Sequence, residues 1–210
     1  MTLAEVLKSQ VADPAWLDGA VHRLAGDPGA IGGLFPLAGR RCGRDPLVES
    51  SPGHGPTGWT VGDAARVLLL AALPLRGDEL AEQVGALYRH GDAAEKRAVL
   101  RALPSLDLGD GAVELLHDAI RTNDPRLVAA ALGPYADRLD PQTWRQAVLK
   151  CVFMEIPLSA VAGLYQRADR ELGRMLAALD DERRAAGRVV PADAQALLLL
   201  IMMDDEEEAG

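Results

Sequence analysis

Aromatic residues, cysteines and β-branched residues are scarce in this sequence, whereas alanine and leucine are abundant. Phe, Trp and Tyr make up only 4% of the 210 residues. Strands are enriched in aromatic and β-branched residues, and alanine and leucine favour helices. We therefore predict an all-α fold, built as a compact array of antiparallel helices with almost no strand.

The chain also lacks the motifs of metal sites, nucleotide sites and nucleophilic catalysts. Its two cysteines, Cys42 and Cys151, are far apart and belong to no CxxC pair, so we expect both to be reduced. His117 and Asp118 are adjacent, and adjacent helical positions point about 100° apart with no Ser or Cys nucleophile placed beside them. The sequence therefore predicts no metal, no cofactor and no catalytic residue.

Basic residues are fewer than acidic residues. Lys and Arg total 22 against 31 Asp and Glu, which gives a formal net charge of -9. Because binding to a phosphate backbone requires a clustered basic surface, nucleic acid is not an expected partner. The N-terminus has no signal-peptide pattern, and no segment reaches the roughly 20 apolar residues that span a bilayer. We expect a cytoplasmic protein without a membrane span.

Apolar residues make up 49% of the chain, enough to bury the core of one domain without disulfides or metals. We predict a single helical domain over residues 1–203 and a disordered acidic tail over residues 204–210. A stretch rich in glycine and proline at about residues 26–58 is predicted to be a long loop with room for a single turn of helix.

The most apolar stretch, Gly58–Leu75, is predicted to form the central helix. Thr60 is its expected N-cap, with Asp63 in the capping-box position. Arg66 interrupts the apolar run, and an unpaired buried charge is costly. This guanidinium therefore needs a partner, which is either an acid, such as Asp63 or a carboxylate on another helix, or an anionic ligand.

A second informative helix is predicted over Pro141–Ile156, with Asp140 as its cap. One apolar face contains Trp144, Ala147, Val148 and Cys151. Because Leu149 and Phe153 lie nearly opposite that face, we predict a helix sandwiched between neighbours. Lys150 is then either drawn into the interior or extends outward along its apolar stem.

Periodicity and capping residues predict the remaining helices. These are Thr2–Gln10, Pro14–Ala25, Asp78–His90, Ala93–Leu103, Gly111–Arg121, Pro125–Leu132, Ser159–Gln166, Asp169–Gly187 and Pro191–Met203. An Ala-Leu-Pro pattern recurs at about 30-residue spacing, which suits a HEAT-like solenoid of helical hairpins. Because these residues are common throughout the chain, an irregular helical bundle is the alternative.

Several segments, in matching order and spacing, resemble the EboA family. They are Gly58-Trp59-Thr60, Ala65-Arg66-Val67-Leu68-Leu69-Leu70, Ala119-Ile120-Arg121-Thr122-Asn123 and Trp144-Arg145-Gln146-Ala147-Val148-Leu149-Lys150-Cys151. The match extends to Met175-Leu176, Glu182-Arg183 and Ala185-Ala186-Gly187-Arg188. The resemblance covers about residues 34–190, and none of its segments is a mechanistic signature.

Members of that family occur in a bacterial and algal gene cluster with a membrane prenyltransferase, a TatD-like metal hydrolase and proteins similar to sugar-phosphate enzymes. The resemblance implies a metabolite traffic protein of secondary metabolism. Its implied partners are other proteins of the Ebo pathway or a small anionic metabolite.

The matched segments and the cations expected in apolar helices together predict a polar pocket. Its candidate ligand-binding residues are Arg66, Arg121, Asn123, Gln146, Lys150 and Arg41, with Trp59 and Trp144 as aromatic anchors. Structural roles are the alternative: an internal ion pair for Arg66, an outward-pointing stem for Lys150, and a helix end for Arg121 and Asn123.

The preferred hypothesis is a non-enzymatic accessory protein that binds a small anionic metabolite or a pathway partner in a cleft between the helices capped by Thr60 and Asp140. The alternative is an enzyme acting on a sugar-phosphate, cyclitol or prenyl-phosphate intermediate, although the sequence lacks an evident acid–base pair. A pure interaction scaffold is the third hypothesis.

Overall fold

The computed structural model describes residues 3–48 and 58–208, and its architecture within these ranges is all-α, as predicted. Within these two ranges, twelve α-helices are joined by loops and short 3-10 turns. Pro46 and Thr60 form an isolated antiparallel β-bridge, and the described ranges contain no strand. No helix in these ranges combines the length and the apolar character required to cross a membrane.

The helices are numbered in chain order. They are α1 (Leu3–Lys8), α2 (Pro14–Gly26), α3 (Ile31–Arg41), α4 (Val61–Ala71), α5 (Gly77–His90), α6 (Ala93–Ala102), α7 (Val113–Arg121), α8 (Pro125–Ala131), α9 (Pro141–Phe153), α10 (Leu164–Arg167), α11 (Arg170–Ala185) and α12 (Ala192–Glu208). The chain divides into two compact units, unit 1 over Met1–Leu115 and unit 2 over Leu116–Gly210. The single domain stays a prediction, and a HEAT-like solenoid is not confirmed.

Helix α4 is the centre of unit 1. It packs against α3 and α6 and also contacts α1 and α2, so most of its side chains are buried. Its N-terminus is fixed by the predicted capping box, in which the Asp63 amide donates to Thr60 Oγ1 at 3.1 Å and the Thr60 amide donates to Asp63 Oδ2 at 3.0 Å. The helix begins where the sequence predicts and ends at Ala71, before Pro74.

The predicted loop at residues 26–58 is wrong for part of its length, because it contains helix α3. The chain forms a 3-10 turn at Pro28–Ala30 and then an eleven-residue helix, despite Pro36 within it. Ile31, Phe35 and Ala38 are fully buried along one face, so tertiary packing outweighs the poor helix propensity of the segment. Residues 49–57, which belong to the same predicted loop, lie outside the described residues.

Gly62 allows α4 to approach the α3 segment closely. A Cβ atom added at Gly62 would lie 2.9 Å from the Gly43 carbonyl oxygen and 3.1 Å from the Gly39 Cα. Both of those atoms are backbone and have little freedom to move. Glycine at position 62 is therefore required by the packing of α4 against the α3 segment.

Unit 2 contains α9, which packs against α8 and α11. Its predicted face of Trp144, Ala147, Val148 and Cys151 is buried, as expected. The opposite apolar side is not buried as predicted, because Leu149 is half-buried and Phe153 is 68% exposed. The helix stops at Phe153, and Glu155 adopts a left-handed conformation (φ 58°), so the last predicted turn does not form.

The C-terminal segments differ from prediction in two places. Instead of one helix over Ser159–Gln166, a 3-10 turn at Leu158–Ala160 is followed by the short α10, with Gly163 in a left-handed conformation between them. The predicted disordered tail is helical as far as Glu208, since α12 continues from its apolar run into a glutamate-rich segment with good helix propensity. Residues 209 and 210 lie outside the described residues.

Substitution of Gly62 by alanine tests the close approach of α3 and α4. We expect Gly62→Ala to lower the free energy of unfolding by about 1–3 kcal/mol, because the added methyl group overlaps backbone atoms. Gly19 in α2 is the control, since an added Cβ there meets nothing within 4 Å. Gly19→Ala should stabilise the protein by about 0.5–1 kcal/mol through helix propensity. Equal effects in urea denaturation would contradict this account.

Candidate functional site

Five charged side chains from α4 and α6 form a buried group in unit 1, here named the arginine cluster. Its members are Asp63, Arg66, Glu95, Arg97 and Arg101. Asp63 is completely buried and accepts hydrogen bonds from Arg97 Nη2 at 3.0 Å on both oxygens and from Arg101 Nη1 at 2.7 Å. Arg97 and Arg101 reach the same carboxylate because residues four apart lie on one side of a helix.

Arg66 has protein partners of its own within the cluster. Its Nε donates to the Phe35 carbonyl oxygen at 3.1 Å, and its guanidinium lies 5.6 Å from the centroid of the Phe35 ring. Glu95 on α6 supplies a carboxylate 3.9 Å from Nη2. Burial lowers the pKa of Arg66, and the charge of Glu95 opposes that shift. The structure thus places an acid from another helix beside Arg66, while Asp63 is engaged by Arg97 and Arg101.

The cluster contains three arginines and two carboxylates, so it carries one excess positive charge if all five groups are ionised. Burial lowers the pKa of Arg101 to about 10, which leaves this side chain charged at neutral pH. Among the described residues, the buried Arg97 Nε has no hydrogen-bond partner. The arrangement binds α6 to the N-terminal turn of α4.

Trp59 lies at the edge of this cluster. The Arg101 guanidinium is 5.2 Å from the centroid of the Trp59 ring, and Arg101 Nη2 donates to the Gly58 carbonyl oxygen at 3.0 Å. Sequence reasoning missed both Arg97 and Arg101, since α6 is polar enough to resemble an exposed helix. The signal that could have found them is the i, i+4 spacing of two arginines beside an apolar stretch in a chain that already buries Asp63.

Lys150 in unit 2 also has internal partners. Its ammonium group donates to the carbonyl oxygens of Ile120 and Thr122, both at 2.7 Å, and so caps the C-terminal end of α7. This contact places Lys150 inward, next to the turn that contains Arg121 and Asn123. Carbonyl oxygens at a helix C-terminus attract cations because they lack intrahelical donors.

The other predicted site residues lie near the surface. Arg121 pairs with Asp118 at 3.6 Å, Arg41 pairs with Asp13 at 3.6 Å, and both arginine side chains are more than half exposed. Asn123 and Gln146 are exposed. Arg41 and Arg66 belong to unit 1 and the other four to unit 2. The shared polar pocket stays a prediction.

Trp144 is a buried anchor in unit 2, with 1% of its surface exposed. Arg167 lies 4.6 Å from the centroid of the Trp144 ring and donates to the carbonyl oxygens of Ala136 at 2.7 Å and Leu139 at 3.0 Å. The arginine therefore covers the indole and satisfies the end of the preceding 3-10 turn. Trp144 fills the core of unit 2 and offers no exposed stacking surface.

Unit 1 contains a hollow of about 570 Å³, here named the apolar pocket. It lies among α1, α2 and the C-terminal end of α4. Its lining residues are Ala4, Leu7, Lys8, Val11, Pro14, Leu17, Asp18, Val21, Leu68, Ala71 and Ala72. A second hollow, of about 520 Å³, lies in unit 2 beside Glu155, Pro157, Val190 and Asp193.

Neither cysteine has the character of a nucleophile. Cys42 and Cys151 are free and fully buried. Burial raises the pKa of Cys42 to about 11 and that of Cys151 to about 12, so both thiols are protonated at neutral pH. Within residues 3–48 and 58–203, no three His, Cys, Asp or Glu side chains come together in a group that could hold a metal ion.

A family model described as metabolite traffic protein EboA matches residues 46–198, well over half of the chain. The chain belongs to the EboA family. In this EboA-family protein, the arginine cluster and Lys150 lie within the matched range, whereas α1 and α2 precede it. No curated protein and no solved structure matches the chain.

Removal of the Asp63 carboxylate should destabilise the protein strongly. We expect Asp63→Ala to cost about 3–5 kcal/mol in urea denaturation, because two buried guanidinium groups lose their acceptor. Asp124→Ala is the matched control, since Asp124 also caps a helix and pairs with an arginine but is partly exposed. Its loss should cost about 1 kcal/mol, the value of a cap. If both variants lost a similar amount of unfolding free energy, burial of the Asp63 carboxylate would not explain the effect.

The two buried thiols should make stability fall at high pH. A thiol in the unfolded chain ionises near pH 8.5, whereas the native thiols stay protonated to pH values near 11 and 12. Raising the pH from about 9 to 11 therefore favours the unfolded state by roughly 1.4 kcal/mol per pH unit and thiol. Cys42→Ala and Cys151→Ala should each reduce this slope. An unchanged slope would show that the thiols ionise equally in both states.

Proposed function

We propose that this EboA-family protein is a non-enzymatic accessory protein that binds a small, mainly apolar metabolite in the apolar pocket of unit 1. The observation that carries the proposal is the pocket itself, which combines a volume of about 570 Å³ with a predominantly hydrocarbon lining. Binding sites for small molecules usually have volumes of roughly 300–1,000 Å³ and such a lining.

The surroundings of the pocket suit a preformed site. Leu7, Val11 and Leu17 are buried and provide its apolar floor. The opposite wall comes from Leu68 and Ala72 at the end of α4, the helix that the arginine cluster fixes at its other end. A ligand would therefore contact one side of a well-held helix, and little reorganisation would be needed on binding.

Lys8 and Asp18 are the two charged residues in the lining, and both are exposed. An apolar body in the pocket could thus extend a polar or charged end towards either side chain. Lys8 favours an anionic end, so the expected ligand is an amphiphile with a carboxylate or phosphate group. This ligand keeps the negative charge of the predicted metabolite but is bound mainly through its apolar part.

The internal partners of Arg66 and Lys150 support structural roles for these two cations. Arg66 contacts the Phe35 carbonyl group and Glu95, and Lys150 contacts two carbonyl oxygens of the α7 terminus. A ligand anion at either position would have to compete with these contacts. No contact among the described residues favours the enzymatic alternative over binding.

Displacement of a fluorescent probe tests the proposal. N-phenyl-1-naphthylamine, a neutral apolar dye, should bind the wild-type protein and be displaced by decanoate. Ala71→Trp should weaken dye binding by about tenfold or more, because Ala71 lines the pocket and is exposed, so the indole fills the pocket without entering the core. Ala25→Trp, at an exposed position of α2 outside the lining, is the control and should bind the dye normally.

A second comparison tests the ligand charge. Lys8→Ala should weaken decanoate binding by about two- to fivefold, the value of an exposed ion pair, and leave decanol unchanged. The proposed binding site would be contradicted if the wild-type protein failed to bind the dye. It would also be contradicted if Ala25→Trp weakened dye binding as much as Ala71→Trp does. An unchanged decanoate affinity in Lys8→Ala would overturn the anionic end of the ligand while leaving the apolar site.

A further inference from the structure

Helix α12 is apolar on two opposite sides. Ala194, Leu197 and Ile201 are buried along one side, where α12 packs against α11. The approach is close, because a Cβ atom at Gly173 would lie 2.8 Å from Ile201 Cγ2. The inward side of α12 is therefore fully used within unit 2.

The opposite side of α12 is exposed and apolar, and it is here named the outer seam. Its residues are Ala192, Ala196, Leu199 and Met203. Leu199 and Met203 are 62% and 64% exposed, and Leu200 and Met202 beside them are 41% and 54% exposed. The spacing of four, three and four residues places the seam in one line along the helix, as in the contact line of a coiled coil. Such a run of large exposed apolar side chains marks an interaction surface.

We propose that the outer seam pairs with the same seam of a second copy of this chain, in antiparallel orientation. A two-fold axis between residues 197 and 198 places Ala196 opposite Leu199 of the other copy and Ala192 opposite Met203. Small side chains then face large ones at every position, which is the arrangement that fills a helix–helix interface. The seam is thus complementary to itself only when the two helices run in opposite directions.

The charges near the two ends of α12 also favour pairing with a second copy of the chain in antiparallel orientation. By sequence, α12 ends in the acidic run of residues 204–208, whereas the segment between α11 and α12 contains Arg188 and no acidic residue. Antiparallel pairing in this register puts the acidic run of each copy beside residues 187–191 of the other, which include Arg188. Parallel pairing would bring two acidic runs together, and an anionic membrane would repel them.

The segment between α11 and α12 is held in place by contacts with its neighbours. Arg183 of α11 donates from Nη1 to the Val189 carbonyl oxygen at 3.3 Å and from Nη2 to the Phe153 carbonyl oxygen at 3.1 Å, so it links this segment to the end of α9. Arg184 pairs with Asp180 at 2.6 Å but remains 66% exposed, and Arg188 is exposed. Arg188 is therefore the residue that would face the acidic run of the second copy.

Sedimentation equilibrium over a wide concentration range tests the dimer. The wild-type chain should show a monomer–dimer equilibrium with a Kd on the order of micromolar, because one helix pair is a small interface. Leu199→Lys should raise this Kd by about tenfold or more, and Arg188→Glu by about two- to fivefold. Tyr165→Lys is the control, since Tyr165 is 68% exposed in unit 2 but lies on α10.

Disulfide trapping tests the orientation. When Ala196→Cys and Leu199→Cys chains of different size are mixed and oxidised, the mixed disulfide should form faster than either symmetric one. A symmetric Ala196→Cys dimer that forms faster would show parallel pairing and overturn the proposed register. A monomer at all concentrations, or equal loss of dimer in Tyr165→Lys, would overturn the self-pairing, whatever the result for the apolar pocket.

Discussion

Asp63 is a fully buried carboxylate at the N-terminal turn of the most buried helix in unit 1, and the packing of α6 against α4 depends on it. The carboxylate completes the cap with Thr60 and at the same time accepts from Arg97 and Arg101. A buried charge is costly unless its lone pairs are occupied, and here three groups occupy them. One side chain thus couples the start of a helix to the position of its neighbour.

The scarcity of aromatic side chains explains why charged side chains join helices in the core of unit 1. With few aromatic residues, the helices of unit 1 approach each other through alanine and glycine, and Gly62 lets α4 lie against the backbone near Gly43. Because Gly39 has no side chain, the Arg66 guanidinium fits beside it and donates to the Phe35 carbonyl oxygen. The cation is tolerated in the core because the α3 backbone and Glu95 surround it with acceptors.

Local signals in the sequence predict the helix starts well, because an N-cap side chain and the backbone N–H group that donates to it lie within three residues of each other. Thr60 with Asp63, and Asp13 before Pro14, are examples that the structure confirms. The helix α3 was missed because its stability comes from burial of Ile31 and Phe35 against other helices, which overrides its glycines and Pro36. Arg97 and Arg101 were missed for the same reason, since their acceptor lies more than 30 residues away in the sequence.

The candidate sites also differ in whether a local sequence signal or the tertiary packing reveals them. The family-matched range contains Arg66 and Lys150, two of the cations that sequence reasoning favoured. In the structure Arg66 contacts the α3 backbone and Glu95 of α6, and Lys150 holds the end of α7. The apolar pocket instead combines the end of α4 with α1 and α2, which precede that range. An apolar lining has no short motif, because it depends on which helix faces meet. Its recognition therefore requires the fold, whereas the charged residues attract attention in the sequence alone.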